Sequence, residues 1–374
     1  MKVGVPNQSE LGEPRVALVP EALRRLGARG IEVVVESGAG AQANHSDEAF
    51  REAGATVGSA DDAWGAEVVC VVRAPTEEQI GRLAEGSVLI GFLGPLTAPE
   101  TTRALASAGV TAFAMEAIPR ITRAQAMDAL SSQSTIAGYR AVLIAALSIG
   151  RFFPMLTTAA GTIKPATVLV LGAGVAGLQA IATARRLGAV VTAFDVRAAV
   201  REQVESLGAR FLELDLEADA EGTGGYAKEL AEEQQRRQQA ALAEAIARFD
   251  VVITTALVPG RRAPLLVTAD AVRGMRPGSV IIDLAAEAGG NCELTQPGET
   301  IVSDDVTIAG PINLPAEMAE HASQLYARNV GALLELMVDD GALKLDFDDE
   351  VIAGACVTRD REIVHQGAKE AAAA

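Results

Sequence analysis

The run Thr167-Val168-Leu169-Val170-Leu171 breaks directly into Gly172-Ala173-Gly174-Val175-Ala176-Gly177 and then into an apolar helical pattern. A GxGxxG between a predicted strand and a predicted helix constrains the fold more than any other part of the chain. Gly172 permits a tight turn, Gly174 lets the backbone approach a pyrophosphate without a Cβ, and Gly177 permits close helix-to-strand packing. The helix start, with Val175 and Ala176 in its first turn, offers N–H groups and partial positive charge to phosphates. The next predicted strand, Val190 to Phe194, ends in Asp195. A carboxylate there accepts hydrogen bonds from ribose hydroxyls and repels a 2′-phosphate, which with Val196 beside it selects NAD(H) over NADP(H). Arg197, two residues on, is of the type that can hold a 2′-phosphate. The same motif also suits a dinucleotide fold that carries no nucleotide.

The rest of the chain extends this unit. Short β-branched runs alternate with helical patterns from the start: Val3 to Pro6, Pro20 to Leu26, Val33 to Glu36, His45 to Ala53, Val68 to Arg73 and Val88 to Phe92. A second series runs from Thr167 through Val190 to Asp195, Asp250 to Thr254, Val280 to Asp283 and Val306 to Ile308. Such alternation predicts βαβ units and parallel sheets. A length of 374 residues exceeds one ordinary core. The expected fold is α/β, two doubly wound Rossmann-like domains separated by a cleft and joined by two long helices. The first helix is expected over Ser131 to Phe153 and the second over Ala316 to Val338. The boundaries place residues 1–130 and 316–374 in an N-terminal domain completed by the C-terminal tail, and 131–315 in the nucleotide-binding domain. A tail belonging to the second domain is the competing arrangement, and Gly367 to Ala374 reads as a frayed end.

Three further stretches bear on ligands. Asp250 to Gly260 is a strand running into a Pro-Gly turn, where Thr255, Ala256 and Leu257 are candidate adenosine or ribose contacts. The next strand ends at Asp283, with Glu287 just beyond it, and Asp283 reads as a turn cap rather than a catalyst. Residues near 216–239, with Gly222, Gly224 and Gly225, exceed an ordinary connection. They read either as a mobile lid that contacts ligand through Gly225 and Tyr226 or as a solvated insertion.

Composition excludes other classes. A net charge of −17 leaves no basic patch for nucleic acid. Cys70, Cys292 and Cys356 lie far apart with no CxxC spacing, so each reads as a small buried hydrophobe, and neither a disulfide framework nor a metal site is expected. His45, His321 and His365 fall at expected surface or helical positions and read as structural. Ala141 to Ile149 and Val168 to Ala184 are too short or too glycine-rich to cross a membrane, and Met1 to Pro6 lacks the apolar stretch of a secretory signal.

The opening Gly4-Val5-Pro6, the stretch Glu13-Pro14-Arg15-Val16-Ala17-Leu18-Val19-Pro20, the segment Pro119 to Gln133 and the GxGxxG together resemble the alanine dehydrogenase and proton-translocating nicotinamide nucleotide transhydrogenase superfamily. The likeness spans nearly the whole chain and is closer to the NAD(H)-binding component of transhydrogenase, in the version made as a separate alpha subunit. Alanine dehydrogenases use a lysine and, 21 residues on, a histidine; here those positions are Arg73 and Gly94. Their strand-end carboxylate is matched only loosely by Glu287. Glycine cannot shuttle a proton, whereas hydride exchange between two nicotinamides needs proximity and orientation rather than a tuned base.

By this resemblance Arg120 and Asp128 hold the nicotinamide carboxamide with Ser131 assisting, and Gln125 contacts the nicotinamide ribose and reaches toward the second nucleotide. A carboxamide offers one acceptor and two donors, which an Arg and an Asp satisfy together. From the residues alone, Arg120 and Asp128 serve equally as an ion pair or helix caps. The resemblance also raises the lid reading of Gly225 and Tyr226. It implies a homodimer that exchanges hydride with NADP(H) on a partner subunit, coupled to proton translocation by membrane-spanning subunits. The expected location is cytoplasmic, at the inner face of the membrane through those partners. The competing functions are an alanine dehydrogenase-like enzyme and a non-enzymatic NAD(H) sensor.

Overall fold

The computed structural model describes residues 1–214, 237, 239–258 and 260–373. The segment carrying Gly225 and Tyr226 therefore lies outside the described residues. The chain divides into two compact units, Met1–Gln133 with Pro315–Ala374, and Ser134–Leu314.

In the first unit, β1 (Lys2–Val5), β2 (Glu32–Glu36), β3 (Thr56–Gly58), β4 (Val68–Arg73), β5 (Val88–Phe92) and β6 (Thr111–Ala114) pair in parallel, in the order β3-β2-β1-β4-β5-β6. The winding reverses between β1 and β4, as a doubly wound sheet requires. Val68 to Val72 is buried without interruption. An apolar run without alternation is what a parallel strand covered on both faces needs. Ser59 and Thr76 start short helices with reciprocal capping boxes, so side-chain oxygens satisfy the first free N–H groups.

Helix α1 (Ala129–Ser148) begins in this unit, and the division at Gln133 and Ser134 falls inside it. It starts two residues before the expected Ser131, because Asp128 caps it, and ends before Gly150 and Pro154. The second unit holds β7 (Thr167–Leu171), helix α2 (Val175–Arg186), β8 (Val190–Phe194), β9 (Arg210–Phe211), β10 (Val251–Thr254), β11 (Val280–Asp283), β12 (Thr300–Ser303) and β13 (Val306–Ala309). Its sheet order is β9-β8-β7-β10-β11-β13-β12, parallel except for β12. Both units are doubly wound α/β folds. Strand β12 and a hairpin at Leu156–Thr158 and Gly161–Ile163 are additions that short, exposed segments did not signal.

The tail re-enters the first unit at Pro315. Helix α3 (Ala319–Leu336) buries Tyr326, Ala327, Val330, Leu333 and Leu334 in a core shared with β1, β2 and β4. Two strands then extend the sheet: β14 (Cys356–Arg359) pairs antiparallel with β6, and β15 (Glu362–Ile363) with β14. The last described residues are not frayed but form a helix at Gln366–Ala373. Ala368 is fully buried, Gln366 bonds Glu370 one turn on, and Arg103 Nη1 donates to the Ala372 carbonyl at 2.7 Å. Arginine on a last-turn carbonyl is favourable at a helix C-terminus.

Candidate functional site

In the second unit the glycine motif sits where the winding reverses, between β7 and β10. Gly172 has φ +100, a conformation L side chains rarely adopt, and its N–H donates to the Phe194 carbonyl at 2.8 Å. A Cβ on Gly177 would lie 1.9 Å from the Gly172 carbonyl oxygen. That glycine is demanded by the contact of α2 with the turn. Gly174 differs: it is the N-cap of α2, and a Cβ there would meet no heavy atom of the described residues within 4 Å. Packing does not require a glycine at 174, whereas a ligand approaching the free N–H groups of the helix start does.

Asp195 directly follows β8 and receives four hydrogen bonds from described residues. Oδ1 accepts from the Arg197 backbone N–H at 2.9 Å and from Arg197 Nε at 2.9 Å. Oδ2 accepts from the Ala173 N–H at 2.8 Å and from Arg197 Nη2 at 2.8 Å. Burial pushes the carboxyl pKa up, but the Arg197 fork, the two backbone donors and the arginine charge outweigh it and hold Asp195 at about 2. It is ionised throughout the physiological range. Val175, Val196 and Leu257 are exposed apolar side chains on the segments that follow β7, β8 and β10, the edge where a doubly wound sheet binds ligands. Ala176 lies in the first turn of α2. These residues fit a dinucleotide: N–H donors for phosphate, an ionised acceptor for a diol, and apolar surface for a base.

Thr255 continues from β10 and donates through Oγ1 to the Gly172 carbonyl at 3.0 Å, locking the two loops together. Ala256 is held by Asn291, whose Oδ1 accepts from its N–H at 3.0 Å and whose Nδ2 donates to its carbonyl at 2.9 Å. Asn291 is fully buried. It escaped notice in the sequence because one asparagine after two glycines reads as a turn. Asp283 proves to be a structural hub rather than a catalyst: fully buried, it accepts from Thr254, Thr295 and the N–H groups of Ala285, Asn291 and Cys292.

The polar loop of the first unit is a 3₁₀ turn, Thr122–Met127, leading into α1. Arg120 and Gln125 are exposed and bond no described residue through their side chains. Asp128 caps α1: Oδ1 accepts from the Ser131 N–H at 2.9 Å and Oδ2 from Ser131 Oγ at 2.6 Å. Of the two bland alternatives, the cap is present and the ion pair with Arg120 is not. Two fixings hold the loop. Asn329 of α3 donates to the Ala126 carbonyl at 2.8 Å and accepts from Ser132 Oγ at 2.7 Å. Arg123 forks onto Asp349 at 2.7 and 2.9 Å. Neither was singled out from the sequence, although a lone asparagine within an apolar helical stripe is a usable signal.

Gly94 has φ +62, and its N–H donates to Glu116 Oε1 at 2.6 Å. Arg73 donates to the Leu11 carbonyl at 2.8 Å, and Glu287 accepts from the Asn313 N–H at 3.4 Å. His45 corrects an expectation: it lies neither on the surface nor in a helix but in a buried loop position, edge-on to Phe50. His321 is exposed, and His365 Nδ1 accepts from the Ala368 N–H at 3.2 Å. Cys70, Cys292 and Cys356 are free and buried. Among the described residues no cluster could hold a metal, and no helix is long and apolar enough to cross a membrane.

Residues 4–137 match the family model described as alanine dehydrogenase/PNT, N-terminal domain, and residues 141–366 match alanine dehydrogenase/PNT, C-terminal domain. The chain is 50% identical over 377 residues to the separately made first portion of the NAD(P) transhydrogenase alpha subunit of Rhodospirillum rubrum, covering 98% of each. It is similar to the crystal structure of a transhydrogenase from Sinorhizobium meliloti, with TM-score 0.86, 44% identity, and 98% and 99% of the two chains covered. Similarity to an alanine dehydrogenase of Halomonas elongata is lower, 32% over 381 residues, covering 99% of this chain and 96% of the relative.

Proposed function

The chain belongs to the alanine dehydrogenase/PNT family, and on that premise we propose that it is the NAD(H)-binding subunit of an NAD(P) transhydrogenase. The nucleotide binds at the glycine turn and Asp195, and hydride passes directly between its nicotinamide and that of NADP(H) held by a partner subunit. The observation that carries this reading is the pair formed by Gly174, open to a ligand rather than to protein, and the ionised Asp195 at the next strand end.

Position 94 supports the transhydrogenase branch over the dehydrogenase branch. Oxidising an amino acid removes a proton from nitrogen along with the hydride, so that site needs a positioned base. Gly94 supplies none. Hydride exchange asks only that two rings be held in reach and orientation with water excluded. In this proposal Arg120 and Asp128 orient the carboxamide with Ser131, and Gln125 faces the second nucleotide. NAD(H) itself supplies the hydride chemistry.

The proposal includes a homodimer and partners that span the membrane and couple the exchange to proton translocation at its cytoplasmic face. Leu147, Phe152, Met155 and Ile163 are 86%, 52%, 63% and 47% exposed within one short stretch, which supports a second copy covering them.

The test is hydride transfer from NADPH to an NAD analogue with and without an NADP(H)-binding transhydrogenase subunit, beside a control of NADH, pyruvate and ammonium. Activity only with the added subunit is expected, and Gln125→Asn should lower that rate far more than NADH affinity. Turnover in the control would move the chain to the dehydrogenase branch. Silence in both with intact NADH binding would favour a sensor.

A further inference from the structure

An ionised carboxylate presents about four in-plane acceptor sites. On Asp195 all four are filled: two by backbone N–H groups and two by the guanidinium of Arg197. A ribose diol therefore reaches this carboxylate only by displacing the arginine from its two sites. The side chain of Arg197 bonds only Asp195 among the described residues and is 59% exposed, so it is free to swing. It hangs from the same strand-end loop and is a planar fork suited to phosphate.

We propose that Arg197 is a latent ligand for the 2′-phosphate of NADP(H), held silent by its fork onto Asp195, so that the aspartate acts on cofactor choice twice, by repelling the phosphate and by occupying the arginine that would bind it. This rests on the NAD(H)-binding reading. With Asp195 present, a 2′-phosphate meets a fixed negative charge and finds the arginine engaged. Without that carboxylate the repulsion disappears and the guanidinium is released beside the ribose position. Removing Arg197 alone frees two acceptor sites for the diol and leaves the charge that rejects phosphate.

The experiment titrates NADH and NADPH, by cofactor fluorescence, into the wild-type protein, Asp195→Ser, Asp195→Asn, Arg197→Ala and the two double variants. Wild type is expected to favour NADH. Asp195→Ser should bind NADH more weakly and NADPH at least about tenfold more tightly, the scale of one charge-assisted contact. Adding Arg197→Ala should abolish that gain, and Arg197→Ala alone should retain preference for NADH. Asp195→Asn keeps the shape of the side chain and an acceptor for the Ala173 N–H, so it decides the matter if the serine variant misfolds. The inference is overturned if neither Asp195 variant gains NADPH affinity, or if the double variants keep the whole gain. Failure of wild type to bind NADH, with NADPH binding gained on losing Asp195, would instead remove the NAD(H) reading and leave the latch standing.

Discussion

At the scale of single residues, two glycines of one motif have separate jobs, and mutation should part them. A methyl group on Gly177 would sit 1.9 Å from the Gly172 carbonyl oxygen, so helix or turn must move. Gly177→Ala should cost roughly 1–3 kcal/mol, read as a lowered urea midpoint. Gly174→Ala meets no atom of the described residues within 4 Å. It should cost no more than about 1 kcal/mol, the difference between glycine and alanine at an N-cap, yet weaken NADH binding severalfold by calorimetry. A large stability loss with unchanged binding would refute that division. The motif was legible in the sequence because strand, turn and helix are contiguous. The saturation of Asp195 was not, since one donor comes from Ala173, 22 residues away.

At the scale of elements, the polar loop depends on what grips it. Asp128 is both the cap of α1 and the proposed carboxamide ligand, and serine separates the two roles. Asp128→Ala should lower stability by about 1 kcal/mol. Asp128→Ser should restore stability, since serine caps well, while NADH affinity stays reduced; full recovery of both would leave Asp128 a cap and nothing more. Asp349 grips the loop from the tail. The Arg123 fork, opposed by burial and helped by the Val351 and Ile352 N–H groups, holds its carboxyl at about 2 rather than the ordinary 3.8. A depressed folded pKa stabilises above 3.8 and that contribution is lost as pH falls toward 2. Asp349→Asn should therefore unfold with a shallower pH dependence across that window, followed by circular dichroism; an unchanged acid limb would count against the pair. Periodicity showed α1 and α3 as helices, but which polar side chain of α3 reaches back to the loop depends on their packing.

At the scale of the whole molecule, the net charge of −17 favours solubility and opposes nonspecific association, so an exposed apolar stretch stands out. For the proposed homodimer, Phe152→Asp with Met155→Asp should shift sedimentation at micromolar concentration from dimer to monomer without lowering the melting temperature by more than a few degrees. A dimer that persists would place the interface elsewhere.

By itself the sequence determined the alternation of strands and helices, the doubly wound class of both units, the dinucleotide turn and the family. Each is written in neighbouring residues, where backbone preference and hydrophobic period act locally. Only the tertiary structure decided that Asn291 frames Ala256, that Asn329 and Asp349 hold the polar loop, that the C-terminal strands extend the first sheet, and that Arg197 occupies Asp195. Those depend on groups brought together by packing, and a hydrogen bond forms only where distance and direction are both met.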